Sequence, residues 1–72
     1  MFVVGDRIRL ISMKNDPDPV PEGTTGTVDY VTEAVPMGQG RYYAQVGVSW
    51  DNGRTLSLCV PPDIAITINQ VM

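Results

Sequence analysis

Hydrophobic and polar residues alternate along most of this chain with a period of two, broken at intervals by turn-forming residues, which is the pattern of short half-buried strands. Residues Asp6 to Ser12 put Ile8 and Leu10 on one face and Arg7, Arg9 and Ile11 on the other. Thr24 to Val31 is rich in β-branched residues and predicts a second strand, with Gly26 marking a bulge or a close backbone approach. Arg41 to Trp50 predicts a third, with Tyr42, Ala44, Val46, Val48 and Trp50 on one face and Tyr43, Gln45, Gly47 and Ser49 on the other. Asn52-Gly53 supplies the positive φ angles of a type I′ hairpin turn. Arg54 to Cys59 returns as a fourth strand, with Leu56 and Leu58 inward, and Ile64, Ile66 and Ile68 alternate in a strand-like tail, 64–72.

The intervening stretches read as loops. Pro17, Pro19 and Pro21 cannot sit in a helix or a central strand, so residues 13–23 form a long acidic surface loop. Pro36, Gly38 and Gly40 predict a second loop over about 32–41. Five short strands without an amphipathic helix predict an all-β domain. A small, partly open five-stranded barrel buries one face of each strand and leaves few free edges. The 72 residues give a single domain, 1–72, with a small core.

Cys59 is the chain's one cysteine and there is no histidine, which excludes an internal disulfide and predicts no metal site and no cofactor. No nucleophile–base pair stands out, and Cys59 reads as an inert strand thiol, so the expectation is a protein that is not an enzyme. The net charge of −3, with five cations in all, argues against nucleic acid as partner, since binding a polyanion rests on many cations. Met1-Phe2-Val3-Val4 is too short for a signal peptide core, and no run approaches a membrane span, which predicts no membrane association and a cytoplasmic location.

Two groups of residues go beyond class. GDRIRLI and PEGTTGTV, residues 5–11 and 21–28, resemble the opening of KOW and other SH3-like barrels. Together with Met13-Lys14-Asn15-Asp16-Pro17 and VSWDNGRTLSL, residues 48–58, they are similar to an uncharacterised domain family of unknown function in phages and their bacterial hosts. Its members read Gly-x-Arg-Val-x-Leu, Met-x-Asp-Pro, Pro-x-Gly-Thr-x-Gly-x-Val and Trp-Asp-Asn-Gly-x-x-Leu. The resemblance spans about residues 5–63; the longer second loop, Thr32 to Tyr43, and the tail from Ile64 depart from it. It implies an SH3-like barrel and an origin in a phage or in its host, and no activity.

The candidate ligand-binding residues are Arg7, Arg9, Arg41, Tyr43, Trp50, Asn52 and Arg54. Arginine presents a planar fork to phosphate or carboxylate, and an aromatic face can stack a base. The expected function is a non-enzymatic binding module that sequesters a small anionic, nucleotide-like ligand as a phage anti-defence protein in the bacterial host cytosol. The alternatives are an adaptor or inhibitor that binds a host protein and, more distantly, a KOW-like nucleic-acid binder. Ile64, Ile66, Ile68, Val71 and Met72 are too many apolar residues to leave in water, so the tail either completes the barrel or joins another subunit's sheet; a homo-oligomer is expected.

Overall fold

Alternating β-branched and polar residues do form strands. The computed structural model describes residues 2–14 and 16–69, and Val71 and Met72 of the expected tail lie outside them. The elements are β1 (Arg7–Ser12), β2 (Thr25–Gly38), β3 (Arg41–Trp50), β4 (Leu58–Val60) and β5 (Ile64–Thr67). All pairings are antiparallel and make one sheet in the order β4-β3-β2-β1-β5. The domain is all-β, and β5 completes this chain's own sheet by pairing with β1.

β4 and β5 lie at opposite ends of the strand order, yet only Pro61, Pro62 and Asp63 join them. Four Cα steps reach at most about 14 Å, whereas the outer strands of a flat five-stranded sheet stand about 19 Å apart. The sheet therefore curls until its ends approach. No ladder joins β4 to β5, so it is not closed into a barrel.

The concave side of the curl holds the core: Ile8, Leu10, Val28, Val46, Val48, Trp50 and Leu58, as the alternation requires. Met13 and Val20 complete it. The proline-rich segment is thus not solely a surface loop; Met13 and Val20 anchor it in the core. Leu56 is only partly buried, because the fourth strand starts later than its alternation suggests. The Leu56 carbonyl accepts the Trp50 indole N–H at 3.0 Å, and in the stretch before β4 a single bridge, Ser49 to Thr55, touches β3.

Two turns differ from the expected ones. Residues 32–41 are not a loop: β2 runs through them to Gly38 and pairs with β3 as a long hairpin arm. Register shifts lie at Val28/Tyr30, Thr32/Val35 and Pro36/Gly38, and Ala34 takes a positive φ of 58° beside the second. These irregularities accommodate Pro36 at a place where a regular central strand would not. The arm closes on Gln39 and Gly40, both at positive φ, as a two-residue type I′ turn requires. At the second hairpin Gly53 alone has positive φ. Gly53 donates to the Trp50 carbonyl and Trp50 to that of Arg54. That is a three-residue loop in which a type I turn is followed by a glycine bulge, rather than the expected type I′ pair.

Gly26 lies where β2 crosses the core, and a Cβ there would stand 2.7 Å from Val48 Cγ1 and 2.9 Å from both the Ser49 carbonyl oxygen and Trp50 Cε3. The Ser49 carbonyl belongs to the paired strand and cannot rotate away. Gly26→Ala is expected to destabilise the fold by about 1–3 kcal/mol through overpacking, read as a lower urea midpoint at unchanged slope. An unaltered midpoint would show that β2 and β3 separate there at no cost.

Candidate functional site

The hairpin between β3 and β4 is fixed from three sides. Arg7 on β1 meets the Asp51 carboxylate with both arms of its fork, Nη1 to Oδ1 at 2.9 Å and Nη2 to Oδ2 at 2.6 Å, a bidentate geometry. The same Nη1 donates to Thr27 Oγ1 at 2.9 Å, and Thr25 Oγ1 donates to Asp51 Oδ2 at 2.5 Å. Arg7 and Thr25 hold the Asp51 carboxyl well below the usual carboxylate range, and the Arg7 guanidinium is raised in turn. Asn52 Oδ1 accepts the Arg54 backbone N–H at 3.0 Å. The Arg54 fork donates to the carbonyls of Asp18 and Pro19, at 2.7 and 3.1 Å, and so fastens the proline-rich loop to the hairpin.

Four of the expected ligand-binding residues, Arg7, Trp50, Asn52 and Arg54, are therefore neighbours, but their polar groups serve the fold. Trp50 is 3% exposed and offers no ring face at the surface. Its size makes it the keystone of the curl, which is why the exposed stacking role does not fit it. Arg9 and Arg41 are exposed, and Arg9 faces outward from β1, opposite Thr25 of β2 and Ile66 of β5. Arg41 lies at the tip of the arm, opposite Gly38. Along β2 the two are separated by thirteen residues, about 40 Å of strand, comparable with the longest dimension of the molecule, 41 Å. The four arginines do not converge within one chain.

Tyr43 is the candidate ligand-binding residue of the Tyr42-Tyr43 pair. It is half-buried, across from Val35, while Tyr42 is 58% exposed. Tyr42 does lie on the core-side face with Val46 and Val48, but the arm runs past the end of the core and nothing covers it there. Tyr42 stands opposite Pro36, and Met37 beside it is 47% exposed. The arm thus carries an apolar tip flanked by Arg41, and this surface is what the sequence reading missed. Its signal was weak: Val31, Thr32, Val35, Tyr42 and Tyr43 favour a strand pair, but Glu33, Ala34 and Pro36 interrupt the pattern before Gly38.

A shallow depression of roughly 160 Å³ is lined by Asp16, Ser57, Cys59, Pro62 and Asp63. Two carboxylates and no cation make it unsuited to an anion. Burial and the Asp63 charge push the Cys59 thiol up, away from the reactive thiolate form.

On the outer face, Tyr30 lies across Gly47, where any Cβ would overlap its ring. Its hydroxyl meets Ser57 Oγ at 2.7 Å and accepts from Gln45 Nε2 at 3.1 Å. No helix of the described residues is long and apolar enough to cross a membrane.

A family model described as "Domain of unknown function (DUF4314)" matches residues 1–68. The match thus includes β5 as well as the stretch 5–63 on which the resemblance was read. No curated protein and no solved structure matches.

Because the Asp51 pKa is depressed in the folded state, its pairing stabilises the protein above the unfolded-state value near 4 and is lost as pH falls below it. Asp6, lowered by Asn69 and the Val3 N–H, adds in the same direction. The melting temperature is expected to drop as pH is taken from 5 towards 2, with a shallower drop in Asp51→Asn. Parallel curves for the two proteins would show that the pair adds nothing.

Proposed function

The chain belongs to the DUF4314 family of unknown function, a membership that hands it no activity, and we propose that it is a non-enzymatic module that binds a protein partner through the tip of its β2–β3 arm. The observation that carries this reading is the arm itself. A strand pair that leaves the core and ends on exposed Tyr42 and Met37 beside Arg41 presents the residue types that anchor protein interfaces: an aromatic, a methionine and an arginine. Exposed apolar side chains at a projecting tip cost solubility and contribute nothing to this chain's core.

The resemblance to phage-borne domains makes a protein of the bacterial host the expected partner, met in the cytoplasm. Sequestration of a small anion draws less support from the geometry. Arg7 and Arg54 are committed to Asp51 and to the proline-rich loop, and Arg9 and Arg41 lie at distant places. A site with all four would need further copies of the chain.

The test compares wild-type protein with Tyr42→Ala/Met37→Ser in capture from host lysate. The expected result is one protein recovered stoichiometrically by the wild type, lost with the double variant and kept with Arg9→Ser. A partner retained by the arm variant would overturn the proposal. So would a stoichiometric nucleotide found by mass spectrometry after heat denaturation of both proteins, which would favour sequestration.

A further inference from the structure

β5 is an edge strand, and apart from its length of four residues nothing in its sequence blunts the edge. Ile64-Ala65-Ile66-Thr67 carries no charge and no proline, devices that usually keep an exposed edge from pairing. The opposite edge of the sheet differs: β4 has three residues and runs at once into Pro61-Pro62.

The ladder tells which backbone groups are free. Ile68 N–H donates to the Arg7 carbonyl at 2.8 Å, and the register sets Arg9 against Ile66. In an antiparallel pair hydrogen-bonded positions alternate. Ile66 and Ile68 therefore turn their backbone groups towards β1, and Ala65 and Thr67 turn theirs outward. Asn69 ends the ladder: its Oδ1 takes the Arg7 N–H at 2.7 Å, and its Nδ2 donates to Asp6. On the outer face the edge is bordered by isoleucine, with Ile64, Ile66 and Ile11 exposed by 53%, 46% and 42%.

We infer that this edge is a self-association surface, on which a second copy of the chain pairs β5 with β5 antiparallel about a two-fold axis at Ile66. The uncharged edge and its exposed isoleucines suit a second copy, and the symmetry of the ladder admits one. Ala65 and Thr67 flank Ile66 evenly, so each offers its N–H and C=O to the other residue of the second copy, giving four hydrogen bonds. The same axis sets Ile66 against its counterpart and Ile64 against Ile68 of the other copy, a non-polar row on one face. No charge on the edge selects an unlike partner. The two Arg9 side chains end three strand spacings apart, about 14 Å, beyond the screening length of physiological salt. The contact is small, so the dimer is concentration-dependent. It leaves the arm free and does not rest on the arm's role.

Sedimentation equilibrium up to about 1 mM tests it on the full chain. The expected result is a mass rising towards twice 7.9 kDa with concentration. Thr67→Pro removes one outward N–H while leaving the bonds to β1, and Ile66→Lys puts two like charges at the axis. Each is expected to stay at monomer mass with an unchanged circular-dichroism spectrum. A wild type that remains monomeric throughout, or a dimer that survives in either folded variant, would overturn the inference.

Discussion

The short link between the last two strands governs this structure. Pro61, Pro62 and Asp63 must carry the chain from one end of the sheet to the other, and that span is shorter than a flat sheet is wide. The sheet has to curl, and curling gives so short a chain an inside. Trp50 fills it, Gly26 yields the room that Trp50 and Val48 need, and Met13 and Val20 add to the packing. Asp63 holds the link at both ends: its N–H donates to the Cys59 carbonyl and its carboxylate accepts the Cys59 N–H.

Once the sheet is curled, the polar side chains sort by what the curl brings near them. Arg7 and Asp51, 44 residues apart in sequence, meet because β1 and the end of β3 both flank β2. Arg54 reaches back to the proline-rich loop. These contacts engage Arg7 and Arg54, two of the four arginines that otherwise would suit an anionic ligand. What the curl does not cover is the arm, which outruns the core, and the outer edge of β5, the two surfaces proposed for other molecules.

The two surfaces differ in kind. The arm presents side chains from a protruding tip, so recognition there would depend on shape and on aromatic contact. The β5 edge presents backbone, and its specificity would come from register and the isoleucine row. A module with one edge for its own copies and one arm for a partner would display two arms per assembly, and two weak contacts at a matched spacing bind far more tightly than one.

The sequence by itself determined the all-β class, four of the five strands in outline, and most of the core, because period-two alternation is a local property of a half-buried strand. It also determined the family, through motifs at turns. Only the tertiary structure decided which hairpin takes the type I′ turn, since Asp51 is held by Arg7 and Thr25 while Gln39-Gly40 closes a free arm. It likewise decided that Trp50 is core and Tyr42 exposed, though both lie on the same face of β3. Parity along a strand says which way a side chain points. Whether anything stands there to meet it depends on residues far away in the chain.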